Sequence, residues 1–303
     1  MSIEVHILGS SSATPVFDRH PTSQLIKILH HQYLIDCGEG TQMQLSRYNH
    51  KPNKISRIFI SHLHGDHFFG LIGLVSTMSL QGRKNPLTIY APLGLKDILS
   101  LQFKYSETIL NFPLYIEVVD EASLTTILDK DDHQVECFPL SHRIPCYGYR
   151  FTRKQAAPSL IKDRLPENIS VQDIIQLKQG HNLVNDEGEV TVYCKDVTQP
   201  TQEAVSYAYC SDTIYTPSLS ELLKGTTLLY HESTFTKEYE SRAQSTFHST
   251  AEQAALVAKN MGVKKLLLGH FSARYKDLSP IQDEARQIFP YSFLAIEGQK
   301  FCI

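Results

Sequence analysis

Within residues 61–71, SHLHGDHFFGL, three histidines and an aspartate stand within six positions: His62, His64, Asp66 and His67. Imidazole and carboxylate side chains crowded in this way are costly unless a bound cation holds them together. The pattern HxHxDH therefore points to metal chemistry, with Gly65 letting the loop turn so that neighbouring side chains face one point. So short a loop offers two ligand pairs, His62 with His64 and Asp66 with His67, which suggests two adjacent ions. It cannot complete either coordination sphere, so other donors are expected just past strand ends elsewhere. His142 follows ECFPL, Asp212 follows YAYCS and His270 follows KKLLLG, and loops beyond strands can converge on one edge of a sheet. The residue types suit zinc, with manganese as the alternative that a carboxylate-rich site admits.

The elements that would position these residues are legible as apolar runs. IEVHIL (3–8), SQLIKIL (23–29) and QYLID (32–36) read as strands, followed by a helix through Met43 and Leu45. RIFI (57–60) is a strand that stops at the histidine cluster, and FFGLIGLVSTMSL (68–80) has the length of one buried helix whose stripe Phe68, Leu71, Ile72, Leu74 and Val75 packs into the core. Strands follow at LTIYA (87–91), LYIEVV (114–119) and HQVECFPL (133–140), with a helix beginning near Pro92. Late in the chain VSYAYC (205–210), TLLYH (227–231), KKLLLG (264–269) and YSFLAI (291–296) alternate with helices near 217–223, 250–261 and 279–288. This alternation predicts a layered α/β or α+β domain. Residues 153–203 are more polar and read as an insertion, with a short helix from Ser170 to Gln179.

With 303 residues, 42% of them hydrophobic and 20% charged, the chain is globular and long enough for a substantial core. A net charge of −3 excludes a uniformly basic nucleic-acid-coating surface and leaves room for a local basic patch. Six cysteines without a CxxC pair suggest a reducing cytoplasm. MSIEVHILGS has no basic segment followed by an apolar one, and no long apolar run occurs, so neither secretion nor membrane spanning is expected.

HLHGDH resembles the signature loop of the metallo-β-lactamase superfamily, and the order of the later donors His142, Asp212 and His270 matches as well. Within it, SHLHGDHFFGL, SHRIPCYGYR (141–150), YCSDT (209–213), HEST (231–234), FHST (247–250) and GHFSARY (269–275) are similar to the tRNase Z, or ribonuclease Z, family over nearly the whole chain. The resemblance implies an αβ/βα sandwich of two mixed β-sheets with outer helices, in a single domain over residues 1–303 with an inserted arm at about 153–203. It implies a cytoplasmic, homodimeric endoribonuclease that cleaves the 3′ trailer from precursor tRNA, leaving a tRNA 3′-hydroxyl and a trailer 5′-phosphate. His62, His64 and His142 would hold one divalent ion, Asp66, His67 and His270 the other, and Asp212 would bridge them. Paired ions suit phosphodiester hydrolysis because they activate water and offset charge developing on phosphorus.

In the same resemblance Asp66 orients or deprotonates the nucleophile, and His248 of FHST protonates the departing ribose oxygen, a poor leaving group. Glu232 of HEST would hydrogen-bond that imidazole and keep it charged. His248 also directly precedes a helix start at Ser249 or Thr250, where S/T-x-x-[EQ] signals a capping box. Arg19 is retained from a family pattern, PxKxRN, whose lysine and asparagine are replaced in Pro15-Val16-Phe17-Asp18-Arg19-His20. Arg274 is either a phosphate contact or a structural partner. The insertion is either an arm that grips tRNA through Lys154, Lys162, Arg164 and Lys178 or a solvated hairpin. Two other functions compete: a small-molecule phosphodiesterase or thioester hydrolase of the same fold, and an RNA-binding protein with an idle metal centre.

Overall fold

The structure is a computed structural model that describes residues 3–16, 18–199 and 202–303; Phe17, in the loop that carries Arg19, and residues 200–201 of the insertion lie outside the described residues. Alternation creates the first strand. In β1 (Ile3–Gly9), Ile3, Val5 and Ile7 are buried while Glu4 and His6 are half-buried. β2 (Ser23–Ile28) and β3 (His31–Ile35) follow in antiparallel register, and β4 (Ile55–Phe59), β5 (Leu87–Ala91) and β6 (Leu114–Val118) then run parallel to β3. The chain crosses to a second sheet through β7 (Thr125–Asp129), β8 (His133–Leu140) and β9 (Cys146–Arg153). The insertion carries the short pairs β10 (Ser159–Leu160) with β13 (Thr198–Gln199) and β11 (Leu183–Val184) with β12 (Val190–Val192). The second sheet resumes with β14 (Val205–Cys210), β15 (Leu228–Glu232), β16 (Lys265–Gly269) and β17 (Ser292–Leu294), and β18 (Lys300–Cys302) closes back on β1.

Each main sheet has seven strands, in the orders β18-β1-β2-β3-β4-β5-β6 and β17-β16-β15-β14-β9-β8-β7. Their facing sides meet in an interior rich in aromatic rings, Tyr33, Phe59, Tyr149, Phe151, Tyr207, Tyr209 and Tyr230. Helices Leu71–Leu80 and Leu95–Tyr105 cover the outer side of the first sheet, and Ala251–Met261 and Ser279–Ile288 that of the second. The arrangement is therefore the αβ/βα sandwich of two mixed sheets. β14, β15 and β16 are parallel, and β8 points the same way because both it and β14 run antiparallel to β9. Their C-terminal ends share one edge with those of β3 and β4.

Two local expectations change. The single helix over 68–80 is two, Gly65–Phe68 and Leu71–Leu80. Gly70 interrupts it by donating its N–H to Cys37 O at 2.9 Å, and a Cβ there would lie 2.2 Å from Gly38 O. Gly65 does not supply a left-handed turn: its φ is not positive, and a Cβ there would approach the exposed Phe69 ring at 2.2 Å, a contact that side chain relieves by moving. In the stripe, Phe68, Leu71, Leu74 and Val75 are buried and Ile72 is half-buried. β7, β9, β18 and the helix Glu240–Thr246 are additional elements that the apolar runs did not mark.

Candidate metal centre and active site

All seven expected donors meet at the shared edge, and each follows a strand of the sandwich. His62 Nε2 and His142 Nε2 lie 3.0 and 3.2 Å from His64 Nδ1. Beside them, His67 Nε2 is 3.3 Å from His270 Nε2, and Asp66 Oδ2 is 3.5 and 3.4 Å from those two nitrogens. Asp212 stands between the groups. Its Oδ2 faces His62 and His142 at 3.6 and 3.9 Å, and its Oδ1 faces His67 and His270 at 3.3 and 3.1 Å.

The donor chemistry fits two cations. Four of the five imidazoles commit their outer nitrogen to the protein: His142 Nδ1 to Phe247 O at 3.0 Å, His62 Nδ1 to Ser61 Oγ at 3.0 Å, His67 Nδ1 to Asp36 Oδ2 at 2.7 Å and His270 Nδ1 to Thr234 Oγ1 at 2.9 Å. Those bonds turn the inner nitrogens toward one another; at His67, burial would lower the pKa, but the Asp212, Asp66 and Asp36 carboxylates push it well above its usual range, so a cation bound there displaces a proton. Burial pushes the His62, His64 and His142 imidazoles below their usual range, which keeps them neutral donors at neutral pH. His62, His64, His142 and Asp212 form one set and Asp66, His67 and His270 the other, with donor atoms inside each set within 4.8 Å.

Asp36 is the residue that sequence reasoning missed. In the sequence it belongs to a turn-forming cluster, yet it is buried at a positive φ of 52° and accepts four hydrogen bonds, from Ser61 N and Oγ, Tyr209 OH and His67 Nδ1, at 2.6 to 2.9 Å. His270 too has a positive φ, 58°. Such backbone costs on the order of 1–3 kcal/mol per residue and persists where surrounding contacts fix it. The available signal was position, since Asp36 ends β3 as Asp212 ends β14.

His248 approaches from the other side of Asp212. Its Nδ1 is 2.8 Å from Glu232 Oε1, which also accepts from Thr213 N at 3.1 Å, while Glu232 Oε2 accepts from Thr234 N and Oγ1 at 3.1 and 2.7 Å. Burial alone would lower the His248 pKa, but the Glu232 carboxylate overrides it and holds the imidazolium up to about 9. Phe247, at φ 60°, ends the preceding helix and turns the chain. Of the two possible caps it is Thr250 that starts the next helix: its side chain accepts from Gln253 N, and Gln253 accepts from Thr250 N.

A cleft of about 410 Å³ opens over these groups, lined by Asp66, His64, His142, Asp212, His248 and His270 and, at its mouth, by the exposed Arg143. Ala13 N donates to Asp66 Oδ2 at 2.7 Å, which ties the 9–23 loop to the cleft. Arg19 turns away to Ser272 O at 3.4 Å. Arg274 lies over the Tyr239 and Phe235 rings, 4.3 and 5.2 Å from their centroids, and forms no ion pair among the described residues.

Two mixed sheets with outer helices and a double histidine–aspartate donor set on their common edge define a metal-dependent hydrolase of the metallo-β-lactamase fold. The chain belongs to the ribonuclease Z family over its whole length, and residues 3–155 also match the family model described as anti-Pycsar protein Apyc1. That stretch contains the HxHxDH loop and His142 but ends before Asp212, Glu232, His248 and His270. The chain is 48% identical to ribonuclease Z of Cytophaga hutchinsonii, covering 100% of this chain and 97% of the relative. It is 43% identical to ribonuclease Z of Bacteroides thetaiotaomicron over 97% of this chain and 93% of that one. Among solved structures, the short form of human tRNase Z matches with a TM-score of 0.71 at 27% identity, covering 99% of both chains. The metallo-β-lactamase fold protein YhfI of Bacillus subtilis shares the fold, with a TM-score of 0.69 at 18% identity and 99% of both chains covered.

Proposed function

We propose that this chain is the endoribonuclease that removes the 3′ trailer from precursor tRNA, by hydrolysis that leaves a 3′-hydroxyl on the tRNA and a 5′-phosphate on the trailer. The observation that carries this reading is the His248–Glu232 pair, 2.8 Å apart beside Asp212, in a chain of the ribonuclease Z family. A small-molecule phosphodiesterase or thioester hydrolase is not favoured, since the full-length relatives are ribonucleases Z.

In this reading His62, His64 and His142 would hold one divalent ion and Asp66, His67 and His270 the other, with Asp212 between the two donor sets. Bound there, the ion pair supplies an activated water at neutral pH and a charge clamp for the phosphoryl oxygens. Five imidazoles and two carboxylates favour zinc over manganese. Asp66, lining the cleft, orients the attacking water or takes up its proton. As the new P–O bond forms, the bond from phosphorus to the ribose 3′-oxygen breaks. His248 has Nδ1 committed to Glu232, so Nε2 gives its proton to that oxygen and makes it a neutral hydroxyl. Glu232 acts only through His248 and, by way of Thr234, through His270. Arg143 at the mouth suits a non-bridging phosphate oxygen.

We read the chain as one domain with an inserted arm, which is consistent with the small separate cluster of Leu177, Leu183, Cys194 and Val197 inside the insertion. A cytoplasmic location fits six free cysteines, five of them buried, and among the described residues no helix is long and apolar enough to cross a membrane. A homodimer fits the exposed apolar side chains Leu80, Leu101, Tyr105 and Ile109. The decisive experiment incubates the metal-loaded protein with a tRNA transcript bearing a 3′ extension and maps the product ends. A cut at the 3′ end of the tRNA body with a 3′-hydroxyl is expected; an intact transcript alongside fast turnover of a small phosphodiester would overturn the reading.

A further inference from the structure

At the end of the sandwich opposite the cleft, a different donor set brings the two sheets together. His30 and His31 lie at the turn between β2 and β3 of the first sheet, and Asp132 lies in the turn between β7 and β8 of the second. Their donor atoms lie within 4.8 Å of one another, and His31 Nε2 is 3.9 Å from Asp132 Oδ2. The two imidazole rings are 3.9 Å apart between centroids. Among the described residues this is the one His/Asp donor triad of its kind outside the cleft.

The triad has a built support. Asp132 Oδ1 accepts from Nδ1 of His133 at 2.6 Å, and Nε2 of that fully buried ring accepts from the buried Tyr33 hydroxyl at 2.6 Å. The relay uses every polar atom of the His133 ring and fixes Asp132 so that Oδ2 faces the histidines. A carboxylate held by an outer hydrogen bond while its free oxygen faces imidazoles is the pattern of metal-site carboxylates. The turn itself is pinned by Lys154 N donating to Asp132 O and Lys130 N donating to His133 O, both at 2.9 Å. Side-chain exposures of 25% for His31 and 34% for Asp132 leave room for water as a fourth ligand. Tetrahedral zinc needs donors about 3.3–3.5 Å apart, so His30, which is exposed, and His31 have to move inward by only about 1 Å. Lys154 is already paired with Asp129, which leaves Arg57 as the cation opposing the site beside His31, offset by Asp132.

We propose that His30, His31 and Asp132 form a third, remote site for a zinc-class divalent transition-metal ion, which staples the two sheets at the end away from catalysis. Two imidazoles and one carboxylate select zinc and its neighbours over magnesium or calcium, which prefer all-oxygen sites.

The test loads the full-length protein with zinc, removes loose metal on a desalting column and measures bound zinc per chain. Native protein is expected to retain one ion per chain more than His31→Ala or Asp132→Asn, with transcript cleavage unchanged in all three. Zinc added beyond saturation of the cleft should raise the melting temperature of the native protein by roughly 5 °C and leave the variants unmoved. Equal zinc content in native and variant proteins overturns the proposal, as does zinc lost from a variant in proportion to its cleavage activity. Should either variant fold poorly, His30→Ala replaces an exposed side chain and must show the same loss of one ion; retention of that ion equally overturns the site.

Discussion

The cleft edge and the inserted arm follow opposite rules. At the cleft, seven donors from four loops stand within 4 Å of a neighbour, and the groups behind them, Asp36, Thr234 and Glu232, are buried and multiply bonded. In the arm, beyond Arg153 at its root, only Leu177, Leu183, Cys194 and Val197 are buried among the described residues, and Lys162, Arg164 and Lys178 are exposed without an ion pair there. Chemistry at a phosphorus atom demands fixed geometry, so it needs an outer layer that holds each ring. Gripping a charged backbone demands only charge of the right sign within reach.

If that contrast is right, damage at the cleft should be graded by distance from the two donor sets. Asp212→Ala removes the carboxylate common to both donor sets, so cleavage should vanish and elemental analysis should find bound metal depleted. His248→Ala should slow cleavage by about 10²–10⁴-fold with metal content and KM close to native; loss of metal would make His248 a structural residue instead. Asp36→Asn keeps the shape but weakens the bond to His67, and should cost roughly 10–100-fold in metal affinity or rate. Glu232→Gln acts on pH. Glu232 holds the His248 pKa up to about 9, so the acid form lasts to that pH and the rate falls above it. Without the carboxylate that pKa drops, and the alkaline limb of kcat should move to lower pH; an unmoved limb would assign it to another group.

The same contrast explains what could be read from the sequence. HxHxDH is local because one helical turn, Gly65–Phe68, presents Asp66 and His67 while His64 caps it and His62 precedes it. His142, Asp212 and His270 were legible because each interrupts an apolar run at its end. Asp36 has the same placement but sits within Asp-Cys-Gly-Glu-Gly, a composition that equally describes an ordinary turn. β9, CYGYRFTR, was hidden because it is buried at Arg153 and half-buried at Arg150, whose guanidinium pairs with Glu136 on β8 at 2.7 and 2.8 Å. An arginine pair across strands does not look apolar. The break at Gly70 depends on the 37–38 loop, a contact no local pattern contains.

The arm is where the contrast is most exposed to failure. Of the four basic residues singled out there, Lys154 is taken by Asp129 and the carbonyl of Lys130, which leaves Lys162, Arg164 and Lys178. Between 153 and 203 eight acidic residues outnumber six basic ones, so the arm's net charge does not favour RNA and any grip rests on those three residues. Replacing Lys162, Arg164 and Lys178, none of which pairs with a carboxylate among the described residues, with glutamine should therefore raise KM for a full-length precursor only several-fold. The slope of log affinity against log salt should fall by no more than about 0.9 for each phosphate that is no longer neutralised. The rate on a short RNA that ends near the cut should not change. A fall in kcat on that short RNA would mean the arm reaches the cleft and shares its geometric demands, and the division between a rigid chemical edge and a loosely specified grip would then be wrong.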